Sequence, residues 1–450
     1  MDLCDREYGF LHLPSLLVFL NPWSEDPAVS DFIVNQLWHP KAPKKAAMLP
    51  PESFADLLHR VGSLVHERKH FHDLLLTPFG NRLVRLSFQY ALSVYALFQS
   101  REWRPGQTIA VPAGAEAFPQ EEALRRVLAK RDEFLRAFES GRMLLEATAV
   151  LAQREFAWTV FGEHAHTIVC AQLASHPVYS SLLRALEVVG SRIGAPTRGF
   201  ARIAHMLLLA YLGRGVQPDG SSSHTGAFIA VLERLSALHP GSFGQVEQAT
   251  QAAWVIAEGN MGIEEEENAK FLDLLRDKAH RWAPPPLAEN LRATWADFSA
   301  KARVMHELFR RQRDTYLNLD LYVQGEGEWV EPLTYLYCVR DDLCLGTEPL
   351  DLKREELVAH VEYEDPVTKA KRYSYRVMPA AVPLSGPCMD RSLWVTFARS
   401  LGGVVTLLEP LDWLHPLQAH WLRLTERLTG VRFVRRSLTA GHGSADHAHS

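Results

Sequence analysis

The residues whose types and spacing could do chemistry sit in Val65-His66-Glu67-Arg68-Lys69-His70-Phe71-His72-Asp73, a segment that reads as helical. Residues four apart share one face of a helix, so His66 and His70 can hold one metal ion together. Glu67 points beside that ion, where it can take a proton from a water the ion has acidified. Asp73 falls within about 20° of His66 on a helical projection, at 100° per residue. It can orient a ligating histidine, bind the metal itself, or simply face solvent at the end of the helix. Arg68 and His72 point well away from that face.

A catalytic zinc site takes three protein ligands and leaves one position open. The best third candidate is Glu146, embedded in the apolar run Leu144-Leu145-Glu146-Ala147-Thr148-Ala149-Val150-Leu151. A carboxylate there is costly to bury unless it is paired or coordinates a cation. Ala147 and Ala149 are small enough to let a second helix approach. The competing reading is a glutamate on the wet face of an amphipathic helix, paired with Arg142 one turn earlier. Glu163, His164 and His166 are the alternative ligands, because two histidines two residues apart suit a strand or loop.

The HExxH sequence His66-Glu67-x-x-His70, followed on a later helix by Glu146-x-x-Ala149, resembles the gluzincin branch of the zincin metallopeptidases. The resemblance implies a zincin-like active-site helix with Zn(2+) bound by His66, His70 and Glu146. It implies Glu67 as the catalytic general base and a protein or peptide as substrate. A zinc amidase using the same water chemistry is a second reading. A non-catalytic helical scaffold, with the motif accidental or holding a structural metal, is a third.

These residues must be carried by helices that the sequence also foreshadows. Leu57, Leu58, Val61, Leu64 and Val65 recur with helical spacing, and Ser53 with Asp56 has the form of a capping box. The helix should stop near Thr77, with Pro78-Phe79-Gly80 as a turn. Leu83 to Phe98 reads as an interior helix, and 101–119 as a loop that could wall a cleft. Glu121 to Glu139 is an amphipathic helix, and Gly141 marks a break before the Glu146 helix. Further helices are expected near 178–190, 200–213, 226–238, 246–258 and 264–282, and from Thr294 to Tyr316. The acidic run Glu264 to Glu267 fits a helix start better than a metal site. His306-Glu307 lacks a second histidine.

Beyond about residue 325 the pattern turns to strands: Thr334 to Val339, a hairpin of Val358 to Tyr363 with Tyr373 to Val377, then Leu393 to Phe397 and Val404 to Leu408. A closing helix is expected from Leu417 to Leu428. The fold class is therefore mainly α, with a smaller α+β C-terminal region. The expected divisions are 1–165 with both candidate helices, 166–325 helical, 326–435 α+β, and 436–450 a flexible histidine-bearing tail.

Composition limits the rest. At 450 residues, with 47% hydrophobic and 22% charged residues, the chain can bury sizeable cores. A net charge of −5 gives no reason to expect nucleic acid or an anionic membrane as partner. Five scattered cysteines without a C-x-x-C pair suit a reducing, cytoplasmic setting and indicate no thiolate zinc site. The apolar stretch Phe10 to Leu20 follows acidic residues and is interrupted by Pro14, so a buried strand or a packed N-terminal segment is expected there, not a secretion signal. Nothing in the sequence sets the oligomeric state.

Overall fold

The computed structural model describes residues 48–99, 122–174, 177–195, 197–214, 223–282 and 285–311, together with seven short strands and isolated N-terminal positions. This part is mainly helical. In chain order it runs β1 (Gly9–His12), β2 (Leu17–Leu20), α1 (Pro51–Leu76), α2 (Pro78–Gln99), α3 (Glu122–Phe156) and a π-helical turn (Ala157–Phe161). It continues with α4 (Glu163–Ala174), α5 (Pro177–Ile193), α6 (Thr197–Gly213), α7 (His224–Ser236), α8 (Phe243–Trp282) and α9 (Pro285–Arg311). No helix among the described residues is long and apolar enough to cross a membrane.

α1 buries Leu57, Leu58, Val61 and Val65 of the positions whose spacing marks its inner face, together with Phe54, while Leu64 is half-buried. Its start differs from a capping box: the helix begins at Pro51, after Pro50. Ser53 Oγ donates to Asp26 instead, and Ser24 Oγ donates to Asp56 Oδ2 at 2.5 Å. The preceding chain supplies the polar partners, so the two residues clasp it and do not cap each other.

The end of α1 is built from local chemistry. Thr77 is extended (φ −96°, ψ 141°), as a residue before proline prefers. Pro78 opens α2 directly, where its missing N–H costs nothing, so no separate turn intervenes. Asn81 Nδ2 donates to the carbonyls of Leu74 and Leu75 at 3.0 and 2.8 Å, satisfying acceptors that the helix end leaves free. A Cβ on Gly80 would lie 2.3 Å from Leu74 Cα, so only glycine lets the two helices meet this closely.

α3 is continuous where a break at Gly141 was expected. The glycine is required by packing: a Cβ there would stand 2.6 Å from the buried ring of Phe79. α8 likewise runs unbroken through the expected 246–258 and 264–282 helices, which places Glu264 to Glu267 mid-helix. Glu264 and Glu265 of this run serve tertiary pairing, not a helix dipole, whereas Glu267 pairs with Lys270 within the helix. Glu264 Oε2 lies 2.8 Å from Arg85 on α2, and Glu265 Oε1 receives His306 Nδ1 at 2.6 Å and Arg310 Nη2 at 3.2 Å from α9.

α1, α2 and α3 pack on one another, α8 packs against α2, α6 and α9, and α9 returns to α1. Aromatic rings weld the α8 and α9 seam. Trp295 meets Phe271 at 4.7 Å and Phe88 at 5.2 Å, and Trp254 stacks on Phe309 at 4.7 Å. The fully buried Trp295 donates its Nε1–H to the Asn268 carbonyl at 3.0 Å, so its polar edge is satisfied.

The N-terminal strands β1 and β2 pair antiparallel and lie against α1. β3 (Tyr335–Tyr337) pairs parallel with β2, β4 (Ala359–Glu364) antiparallel with β5 (Arg372–Val377), and β6 (Val404–Leu408) parallel with β7 (Arg432–Arg436). The expected loop 101–119, the strand Leu393 to Phe397, the helix Leu417 to Leu428 and the tail 436–450 lie outside the described residues, apart from Arg436 itself.

Candidate metal centre

His66, Glu67 and His70 occupy the second half of α1, and Glu146 the second half of α3. The helices come close at Gly62, where a Cβ would lie 2.4 Å from Gln153 Nε2 of α3; Ala147 and Ala149 on α3 are buried. Glu146 does not pair with Arg142, whose guanidinium lies 3.6 Å from Glu139.

The three candidate ligands converge. His66 Nε2 lies 3.1 Å from Glu146 Oε2 and 3.0 Å from His70 Nε2, and His70 Nε2 lies 3.4 Å from the same carboxylate oxygen. Zinc holds nitrogen and oxygen donors at about 2.0–2.1 Å, so ligand atoms around a tetrahedral ion sit roughly 3.3 Å apart. The observed separations straddle that edge length. The donor set, two imidazoles and one carboxylate, suits zinc by chemistry as well as by spacing.

Electrostatics ties the group together. Burial alone would push the His70 imidazole down, but the charge and hydrogen bond of Glu146, helped by Glu67 and Asp73, outweigh it and lift the pKa to about 8. Burial would likewise raise Glu146, yet the charge of His70 and hydrogen bonds from both histidines hold it well below the usual carboxylate range. In the metal-free protein the cluster therefore favours a His70 proton against the Glu146 carboxylate, and a divalent cation would replace that proton. The buried Nδ1 of His70 has no hydrogen-bond partner among the described residues. Metal-binding histidines usually have that second nitrogen held by an acceptor.

Glu67 is 6% exposed, and its charge reaches His70, which places it beside the convergence point. Asp73 faces a different task. Its carboxylate is taken by the Lys69 ammonium and by Thr148 Oγ1 at 2.6 Å, all three residues being fully buried.

Compared with known proteins, the chain matches no family model, no curated protein and no solved structure. The geometry of its own residues therefore carries the functional argument.

The cluster of Glu163, His164 and His166 is helical, not a strand or loop, because α4 starts immediately after Gly162, whose φ of 91° suits glycine. Two residues apart on a helix, the histidines diverge. His164 stacks on Phe54 at 6.4 Å, whereas His166 meets Trp158 edge-on at 4.7 Å and lies 3.5 Å from Cys170 Sγ. Burial, then the neighbouring Arg154, pushes the His166 pKa down. Glu163 is exposed at the start of α4.

Lys69 and Thr148 are not among the candidate residues that the sequence offers. The i, i+4 spacing of Lys69 and Asp73 is a visible signal for an ion pair. A lone threonine among the apolar residues of 144–151 is a weaker sign that a buried partner awaits its hydroxyl.

Proposed function

We propose that His66, His70 and Glu146 bind one zinc ion and that the chain is a mainly helical zinc-dependent metallopeptidase. The observation that carries this reading is the convergence of three ligand atoms from two helices at 3.0 to 3.4 Å. Zinc bound there would acidify a water to roughly pKa 7 and polarise a carbonyl. Glu67, beside the convergence point and largely shielded from solvent, is the base that would take the water's proton and return it to the leaving amine. Burial of the group would strengthen every charge interaction within it.

The substrate is proposed to be a protein or peptide, in a reducing, cytoplasmic setting. Region 326–435 is read as an α+β unit attached to the helical body. The 3.0 to 3.4 Å contacts also pair these side chains with one another, which would let the same residues serve a non-catalytic scaffold.

Metal analysis of the purified protein with a peptide-library screen separates these readings. About one zinc per chain is expected. His66→Ala should lose the zinc, while Glu67→Gln should keep both zinc and fold yet abolish hydrolysis. Protein that neither carries zinc nor takes it up overturns the reading. Zinc without peptide cleavage, but with cleavage of small amides, moves the assignment to an amidase.

A further inference from the structure

Lys69, Asp73 and Thr148 form a buried chain that starts inside the HExxH segment and ends two residues beyond Glu146. Lys69 Nζ and Asp73 Oδ1 form an ion pair one helical turn apart on α1, and Asp73 Oδ2 accepts from Thr148 Oγ1 of α3 at 2.6 Å. The Thr148 hydroxyl also lies 2.7 Å from the Leu145 carbonyl. It has one proton, and the charged carboxylate is the stronger acceptor. The Asp73 carbonyl is occupied as well, accepting from Thr77 N and Thr77 Oγ1 at 2.9 and 2.7 Å. Asp73 is thus held by its own helix end while it grips α3.

The placement matters for Glu146. At 100° per residue, Glu146 and Thr148 leave α3 about 160° apart, yet both reach α1. Contacts on nearly opposite sides of one helix fix its roll about its own axis. A threonine packed only by its methyl group would not do this, because apolar contacts tolerate rotation far better than a hydrogen bond to a fixed carboxylate.

We propose that Lys69, Asp73 and Thr148 are positioning residues for the metal centre, setting the roll of α3 so that Glu146 meets His66 and His70. The proposal rests on the zinc reading of those three ligands. Lys69 orients Asp73, Asp73 orients Thr148, and Thr148 sets the helix that carries the carboxylate.

The test uses charge-neutral changes at Thr148 in the full chain, so that no formal charge is added or removed beside the histidines. Zinc affinity is read by competition titration, the ligand geometry by the visible absorption of the cobalt(II)-substituted protein, and the fold by circular dichroism. Thr148→Val, nearly the same shape without the hydroxyl, should weaken zinc binding by about 10- to 100-fold, the range for losing a group that orients a ligand. Its cobalt spectrum should change in shape. Thr148→Ser restores the hydroxyl and should return both readouts to near wild type. If Thr148→Val does not fold, Thr148→Ala, which opens space beside the carboxylate, takes its place with the same expectation. Wild-type affinity and spectrum in the hydroxyl-free variant overturn the proposal, as does failure of the serine to rescue. Wild-type protein that binds neither zinc nor cobalt overturns the metal reading, and the positioning role with it.

Discussion

His66 Nε2 meets Glu146 Oε2 at 3.1 Å although eighty positions separate the two residues in the chain. The contact joins α1 to α3, and His70 completes the group from one turn further along α1. Glu146 is a largely shielded carboxylate, 16% exposed, held between two imidazoles.

Glu146→Ala should therefore weaken zinc affinity at least ~10-fold, since a direct ligand should matter no less than a group that orients one. Glu163→Ala and His166→Ala should leave it unchanged, because Glu163 is exposed and His166 is engaged with Trp158. Metal titration of the three variants checks this. Unchanged affinity in Glu146→Ala would move the third ligand elsewhere.

The stability of the metal-free protein should fall as the pH rises through about 8, the His70 value. His70 is raised from its ordinary 6.5, so its stabilisation is fully present below 6.5 and lost above about 8. The loss should be about 2 kcal/mol, as 1.36 kcal/mol accompanies each pKa unit. Glu146, lowered in the fold, has the opposite sense: its part is present above 4.5 and fades on acidification. The two effects describe one interaction and are not summed. Thermal unfolding of chelator-treated protein at pH 6 and pH 9 measures the loss, and His70→Gln should flatten the difference. With saturating zinc the trend should reverse, since binding expels the proton. An identical pH profile in wild type and His70→Gln would count against the charge arrangement at the site.

Two glycines should respond in opposite directions to the same change. Gly80→Ala drives a methyl into the backbone of Leu74 and should cost at least ~2 kcal/mol. A Cβ on Gly259, mid-helix in α8, would meet nothing from the rest of the described residues within 4 Å, so Gly259→Ala should stabilise by up to ~1 kcal/mol. Denaturant unfolding of both variants settles the comparison. A neutral Gly80→Ala would mean that the α1 to α2 junction is looser than its contacts imply.

Features set by local periodicity and stereochemistry were legible in the sequence. The inner face of α1 follows from the spacing of Leu57, Leu58, Val61 and Val65, with Leu64 of the same set at its half-buried margin, and its end at Thr77 follows from Pro78. The shared face of His66 and His70 is a property of any α-helix. Glu146 stood out because a carboxylate in an apolar run needs a partner. What the sequence could not disclose is who the partners are. Gly141 signals a helix end by propensity, but the ring of Phe79, sixty-two positions earlier, makes it a contact inside a continuous helix. Asp73 shares the face of His66 on a helical projection, yet Lys69 and Thr148 occupy its carboxylate. Glu264 and Glu265 resemble a helix start until Arg85 and His306 are brought beside them. Periodicity is a property of neighbours along the chain, so the sequence by itself determined which residues face inward. Choosing among several buried charges and hydroxyls is a competition between groups far apart in sequence, and only the packing of the helices decided it, that of α1 against α3 at the candidate site.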